Sequence, residues 1–161
     1  MWDANSGQHL LTLNGPVVGR SVMFAPDAKT IMSVCQPSPD GTTVCIWDAG
    51  TGQMIRQLEL ELSVYSFWDE KLEGSMSSQR LNEMVDLAKF SWDGKHIITG
   101  LRSGEVRVWD ADMGEGMGKG TRVLGIHDNT IQSASFSQDG RFVVSGSSDD
   151  TVCVWDSNNN G

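Results

Sequence analysis

Residues 127–156 read HDNTIQSASFSQDGRFVVSGSSDDTVCVWD, and this stretch decides the fold. Its first part, Thr130–Ser137, alternates apolar and polar residues, which is typical of a strand with one buried face. Gln138–Gly140 follow as a tight turn, because aspartate and glycine favour turn conformations. The β-rich run Arg141–Ser147 comes next, and after a second turn the run Thr151–Asp156. The stretch therefore predicts three short strands joined by tight turns.

The end of this stretch recurs along the chain. A Trp-Asp pair closes four similar segments, and successive pairs lie 45, 62 and 46 residues apart. The first and last intervals are close to the ~40–45 residue period of a propeller blade. The middle interval carries an insertion of roughly 17 residues by the same measure. The pairs are Trp2-Asp3, Trp47-Asp48, Trp109-Asp110 and Trp155-Asp156; they delimit repeats at 4–48, 49–110, with the insertion at about 60–83, and 111–156.

Each repeat has room for a fourth strand after the Trp-Asp pair. A turn rich in glycine follows each of the first three pairs, and an apolar run follows the turn. These runs predict fourth strands at Gln8–Leu13, Gln53–Leu58 and Thr121–Leu124. Four short strands per period are the content of one propeller blade.

These residues resemble the WD-repeat β-propeller family over nearly the whole chain. The resemblance implies an all-β fold, in which β-propeller blades of four-stranded antiparallel sheets form an incomplete array of about three blades. The whole chain, 1–161, would be one partial domain. The function it implies is a non-enzymatic scaffold or adaptor that binds other proteins or peptides without a cofactor or a metal ion.

In this family four side chains lock a repeat: a histidine before the first strand, a serine or threonine in the second, an aspartate in the next turn, and the tryptophan. The chain matches the full set in its last repeat, with His127, Ser145, Asp149 and Trp155. We call these four residues the tetrad. The chemistry is a relay of hydrogen bonds in which each buried polar group has a partner.

The other two repeats match only in part. The second has Thr99 and Trp109, while the first has Ser33 and Trp47, with Asp40 as the candidate aspartate. We expect these two blades to rest mostly on apolar packing and to be softer than the last one.

Two patterns in the chain resemble motifs of enzymes. Ser145, His127 and Asp149 could suggest a hydrolase triad, but Ser145 lies inside an apolar strand, whereas a nucleophile needs an exposed oxygen and an oxyanion hole. The glycine-rich run 114–121 could suggest a nucleotide-binding or hydrolytic protein. It lacks the first glycine and the hydroxyl residue of a P-loop, and a flexible turn is the simpler interpretation.

Composition excludes several other classes. The net charge is -9, from 12 basic and 21 acidic residues, which disfavours binding to nucleic acid. No apolar run reaches the roughly 18 residues of a membrane span. The three cysteines are odd in number and have no CxxC pair, so reduced thiols and a cytoplasmic or nuclear location are expected.

The insertion, Leu60–Glu83, breaks the strand period and carries the aromatic residues Tyr65, Phe67 and Trp68. These side chains could pack on the side of a neighbouring blade. They could also form a partner-binding loop, because aromatic residues are enriched at interface centres. A short helix within Leu72–Glu83 is a further alternative.

Three blades are fewer than the ~4–8 that close a propeller, so the terminal blades should expose apolar faces. Most simply, the chain is part of a longer propeller protein; a sensor segment of a larger signalling protein is one form of this. A homodimer that completes a six-bladed ring by exchanging terminal strands is the second alternative. An independently stable three-blade monomer is the third.

Overall fold

The computed structural model describes residues 1–15, 17–38, 41–58, 84–111 and 121–158. It is all-β, as the sequence predicts, and its strands are short because tight turns follow one another closely. The eleven strands of the described residues are β1 (Val17–Phe24), β2 (Thr30–Ser38), β3 (Gly41–Asp48), β4 (Met54–Leu58), β5 (Val85–Phe90), β6 (His96–Leu101), β7 (Glu105–Asp110), β8 (Arg122–Ile126), β9 (Ile131–Phe136), β10 (Phe142–Ser147) and β11 (Val152–Asp156).

The strands form three antiparallel sheets, each of which is one blade. The first blade has the order β1-β2-β3-β4, the second β5-β6-β7-β8, and the third contains β9, β10 and β11. The register repeats between blades: Ile97 pairs with Trp109 in the second, and Val143 with Trp155 in the third. Equivalent residues can therefore be matched blade by blade.

The blades stack in chain order and bury an apolar layer at each junction. The first two blades share a cluster that includes Met32, Val34, Val85 and Phe90. The next two share one that includes Val106, Val108, Ile131 and Phe136. Because side chains alternate along a strand, the second blade presents one apolar face to each of its two neighbours. This stacking positions the loops at both edges of the sheets.

The fourth strands only partly match the prediction. β4 and β8 lie within two residues of the predicted boundaries, but Gln8–Leu13 is not a strand. In this segment a single bridge joins Trp2 to His9, inside an N-terminal hairpin. The segment pairs through this one bridge, so it lacks the ladder of successive paired residues that makes a strand.

The prediction of three reduced thiols is wrong for two of them. Cys35 of β2 and Cys45 of β3 form a disulfide, with Cα atoms 6.1 Å apart, and Cys153 is free. Linear spacing hid this pair because the register sets Ser33 opposite Cys45, and Cys35 lies two residues further along the same face.

Several sequence predictions fall outside the described residues. They concern Asp40, the aromatic residues of the insertion at 60–83, and residues 114–120 of the glycine-rich run 114–121. Among the residues that are described, no helix is long and apolar enough to cross a membrane.

Candidate functional site

The structure brings the four tetrad residues together on the third blade. His127 follows β8, Ser145 lies in β10, Asp149 lies in the β10–β11 turn, and Trp155 lies in β11. His127 Nε2 is 2.8 Å from Ser145 Oγ, and its Nδ1 is 3.1 Å from Asp149 Oδ2. Trp155 donates its indole N–H to Ser145 Oγ at 2.7 Å. The tetrad therefore joins the strand-two serine to a histidine that comes from the preceding blade's last strand.

Counting donors and acceptors assigns the protons. Ser145 Oγ accepts the indole N–H of Trp155, so its own proton is directed to His127 Nε2. Nε2 is then an acceptor and the ring proton lies on Nδ1, facing the Asp149 carboxylate. Because His127 and Ser145 are 3% and 1% exposed, each of these polar groups depends on its neighbour in the tetrad.

A fifth side chain, Thr151, belongs to this network and was not predicted from the sequence. Its hydroxyl donates to Asp149 Oδ1 at 2.6 Å and lies 2.8 Å from His127 Nδ1. The Thr151 hydroxyl, followed by the N–H groups of Thr151 and Asp128 and by His127, lowers the pKa of Asp149 far below its ordinary value. The signal for Thr151 was a hydroxyl residue two places after the turn aspartate.

The second blade has the tryptophan bond without the rest of the network. Trp109 donates its N–H to Thr99 Oγ1 at 2.8 Å. Ser103 occupies the position of Asp149, and its buried hydroxyl has no hydrogen-bond partner in the structure. Among the described residues of this blade, the tryptophan hydrogen bond therefore ends at the Thr99 hydroxyl.

The first blade uses sulfur where the third uses histidine. Trp47 donates to Ser33 Oγ at 2.8 Å, and Ser33 Oγ is 3.2 Å from Cys35 Sγ. Cys35 in turn is bonded to Cys45 across the strand pair. Cys35 therefore contacts the strand-two hydroxyl of the first blade, as His127 does in the third.

The geometry of the tetrad explains its likeness to a hydrolase triad and what it can do. Ser145, His127 and Asp149 have the triad's order of bonds, but Ser145 is 1% exposed and its oxygen already holds the Trp155 N–H. A substrate carbonyl would have to displace that bond inside a packed blade. No group of His, Cys, Asp and Glu within the described ranges could hold a metal ion.

The loops around the tetrad are fixed to one another. We call residues 102–104, 127–130 and 148–151 the tetrad edge. His127 N–H donates to the Gly104 carbonyl at 2.9 Å, and Thr130 Oγ1 donates to the Arg102 carbonyl at 3.1 Å. The first bond fixes the end of β8 to the β6–β7 turn within the second blade, and the second bond joins the second blade to the third. Asp128 and Asp150 are exposed on this edge, so it presents acidic side chains on a held backbone.

Aspartates also organise the turns at the opposite edge. In the β5–β6 and β9–β10 turns, Asp93 and Asp139 accept from the serine hydroxyl two residues earlier, at 2.6 Å, and this bond lowers the pKa of each carboxyl. In the two turns after Trp-Asp, the N–H and then the hydroxyl of the residue three places later lower the pKa of Asp3 and Asp48. The loops of the tetrad edge are therefore held by bonds to backbone carbonyls, and the turns of the opposite edge by bonds to aspartate side chains.

Comparison with known proteins agrees with this repeat. The family model described as WD domain, G-beta repeat, matches residues 74–110 and 118–156, which correspond to the second and third blades. The second and third blades are WD repeats. The WD-repeat assignment also accounts for the recurrence of Trp and Asp at equivalent places in the three sheets.

Curated relatives of this WD-repeat chain include two kinds of protein. It is 28% identical over 131 residues to eukaryotic translation initiation factor 3 subunit I of Lodderomyces elongisporus, covering 80% of this chain and 34% of the relative. It is 28% identical over 141 residues to the nuclear distribution protein PAC1 of Arthroderma benhamiae, covering 83% of this chain and 28% of the relative. The PAC1 protein of Trichophyton verrucosum matches to the same extent. The chain thus spans about a third or less of the relatives' length.

Proposed function

We propose that this WD-repeat chain is a non-enzymatic scaffold that binds proteins or peptides. The observation that carries the proposal is the state of the tetrad. Its reactive-looking groups are buried and bonded to one another, so they hold the blade together and leave the exposed loops for recognition. The names of the relatives, one a subunit of an initiation factor, support a role within assemblies.

The tetrad edge is the binding surface that we favour. A held backbone loses little conformational entropy when it binds, which raises affinity. Asp128 and Asp150 give this edge a negative charge, which suits a partner with exposed basic residues.

A matched pair of variants tests this proposal. Asp128→Arg reverses a charge on the tetrad edge, and Gln138→Arg adds the same side chain at the opposite edge of the same blade. Proteins captured by the immobilised chain are compared quantitatively for the wild type and both variants. We expect one set of proteins to be lost with Asp128→Arg and kept with Gln138→Arg. Identical captured sets for all three chains would contradict the assignment.

A nucleotide-binding or hydrolytic protein remains the rival proposal, through the glycine-rich run 114–121. Labelled ATP and GTP test it directly. Saturable, magnesium-dependent binding that is lost in Lys119→Ala would replace the scaffold proposal with this one.

We infer a cytoplasmic or nuclear location from the relatives, whose names refer to translation initiation and nuclear distribution. The Cys35–Cys45 disulfide runs against this inference, because the cytoplasm and the nucleus keep most thiols reduced. A fluorescent fusion locates the chain, and trapping its thiols in the same cells shows the state of the pair.

We also propose that a second copy of the chain is among its partners. The exposed apolar face of the third blade supports this, since soluble monomers rarely expose large apolar patches. Two copies would together supply six blades, a number within the range of closed propellers.

A further inference from the structure

The first blade contains a covalent link that the other two blades do without. Cys35 of β2 and Cys45 of β3 lie diagonally across the strand pair, and both are 0% exposed. They belong to one buried cluster with Trp47. The link closes a loop of the chain, because the two cysteines are 10 residues apart in the sequence. The scaffold proposal makes no use of this pair.

The matching positions of the other blades show that a blade folds without the link. In all three blades the second of the two positions lies opposite the hydroxyl residue that receives the tryptophan N–H, so the strand register is the same. At the two positions, the second blade has Leu101 and Arg107, and the third has Ser147 and the free thiol Cys153. A first blade with both thiols free is therefore compatible with the fold.

The reduced pair also keeps its buried polar neighbours bonded. Trp47 donates to Ser33 Oγ, which directs the serine proton towards Cys35 Sγ at 3.2 Å. A sulfur atom accepts this proton in a disulfide as well as in a thiol. A thiol at Cys35 also has an acceptor for its own proton, because Sγ lies 3.8 Å from the Ser33 carbonyl oxygen. Both redox states thus satisfy this network.

The link stands where the β2–β3 hairpin leaves its regular ladder. Cys35 pairs with Thr43, and the strand register shifts immediately beyond this pair. Seven residues, 36–42, connect the two positions, whereas three residues, 102–104, connect the equivalent positions of the second blade. The cysteines therefore hold the base of a longer hairpin end, at the same edge of the blades as the β6–β7 turn.

We propose that Cys35 and Cys45 form a reversible redox switch, which holds the outer end of the β2–β3 hairpin when oxidised and releases it when reduced. The oxidant is a small disulfide, of which glutathione disulfide is the type. One cysteine thiolate attacks a sulfur of this disulfide, breaks its S–S bond and expels one glutathione thiolate. The second cysteine thiolate attacks the mixed disulfide and expels the other. The pair loses two electrons and two protons, and two glutathione thiols are formed; excess glutathione thiol reverses both steps.

Burial couples this exchange to local opening of the hairpin. Because both sulfurs are buried, the hairpin end must open before a glutathione can reach them, and the register shift beyond Cys35 interrupts the ladder at that place. Oxidation removes open conformations of the loop that the link closes, so opening is rarer in the oxidised chain. A reversible pair also reconciles the disulfide with the cytoplasmic or nuclear location proposed above. The switch does not depend on the scaffold proposal, since it needs no partner protein.

Equilibration in glutathione buffers tests whether the pair is reversible. The folded chain with Cys153→Ser is incubated at increasing ratios of glutathione disulfide to glutathione, starting from oxidised and from reduced protein. Its thiols are then alkylated with iodoacetamide in denaturant and counted by intact mass. We expect two labels at low ratios and none at high ratios, with the same midpoint from both directions. A pair that stays oxidised in millimolar glutathione, or stays reduced in glutathione disulfide, would overturn the proposal.

Hydrogen exchange of the two states tests the structural consequence. We expect the amides of β2 and β3 to exchange roughly tenfold or more faster in the reduced chain, because the link no longer restricts opening. The β6–β7 hairpin contains no cysteine and is the internal control, so its exchange should be the same in both states. Cys35→Ser, which copies Ser147 of the third blade, should behave like the reduced chain in either buffer. Equal exchange of β2 and β3 in the oxidised and reduced wild type would show that the pair is not a switch.

Discussion

At the scale of single residues, the blades differ in what supports the hydroxyl that receives the tryptophan N–H. In the third blade this support is His127, with Asp149 and Thr151 behind it. The first blade has Cys35 at this place, and the second has no such residue among those described. The resemblance to the WD-repeat family predicted the four tetrad residues, and the structure places them within hydrogen-bonding distance of one another. The sequence could not identify Cys35, because its role depends on the cross-strand position of Cys45.

Replacing His127 should destabilise the chain strongly. His127→Ala leaves the Ser145 hydroxyl and the Asp149 carboxylate without their shared partner, so we expect the free energy of unfolding to fall by about 2–3 kcal/mol. Urea unfolding followed by tryptophan fluorescence measures it. His9→Ala is the control, since His9 is exposed and should change stability by less than about 0.5 kcal/mol. Equal losses for both variants would contradict the structural role.

Stability should fall as the solution becomes acidic. Among the described residues, five aspartates have a pKa lowered by donated hydrogen bonds: Asp3, Asp48, Asp93, Asp139 and Asp149. A lowered pKa in the folded state stabilises the chain above the unfolded value of about 3.9, and the stabilisation is lost as the pH falls through the folded pKa.

The urea midpoint between pH 7 and pH 2.5 checks this expectation. We expect it to decrease below about pH 4. Asp149→Asn should be less stable at pH 7 and should show a shallower decrease, because this carboxyl no longer titrates. A midpoint that rises towards low pH would disprove the expected sign.

At the scale of elements, the turns were predictable because their chemistry is local. Asp93-Gly94 and Asp139-Gly140 were identified from residue type, and both glycines have a positive φ near 72°. The fourth strands were harder to predict, because each forms only where the third strand of the same blade lies beside it. Gln8–Leu13 has the right residues and lacks that neighbour within its own hairpin. The disulfide could not be predicted from the sequence for a similar reason, because the approach of Cys35 and Cys45 depends on strand register.

The first-blade turn should gain stability from a glycine. Ala28 has φ 56°, where the other two turns have Gly94 and Gly140. Because a Cβ is disfavoured in the left-handed region, Ala28→Gly should raise the free energy of unfolding by about 1 kcal/mol, and Gly94→Ala should lower it by a similar amount. Chemical denaturation of the two variants measures both. The same sign for both changes would show that backbone strain is not the cause.

The disulfide should leave one reactive thiol in the unreduced chain. Alkylation with iodoacetamide in denaturant is expected to add one label, on Cys153, and three labels after reduction. In Cys153→Ser the unreduced chain should take no label. Three labels without prior reduction would mean that Cys35 and Cys45 are free in solution. Mass spectrometry of the intact chain gives the count.

At the scale of the whole molecule, stacking competes with the tetrad in deciding which blade is firmest. The sequence alone predicts that the third blade is the most stable, since it has the complete tetrad. The structure shows that the second blade is covered on both faces and the third on one. Each apolar side chain buried at a junction contributes roughly 1.5–3 kcal/mol, and three such positions outweigh the tetrad's about 2–3 kcal/mol.

Hydrogen exchange of the chain should therefore be slowest in the second blade. We expect the amides of β6 and β7 to exchange more slowly than those of β10 and β11 at neutral pH. Exchange measured by NMR or by mass spectrometry of peptides resolves these strands. The reverse order in a chain shown to be monomeric would mean that the tetrad dominates.

The contact between Gly125 and Trp155 has a consequence for how such a chain can be cut and recombined. A Cβ on Gly125 would lie 2.0 Å from the indole of the next blade, and Gly15 stands in a similar relation to Trp47. The smallest unit that contains both the glycine and the tryptophan it contacts therefore spans parts of two sheets. A gene duplication or a laboratory fusion with its junction just after a Trp-Asp pair carries the glycine and its tryptophan together. A junction between them separates the two and leaves neighbours that were never selected to fit.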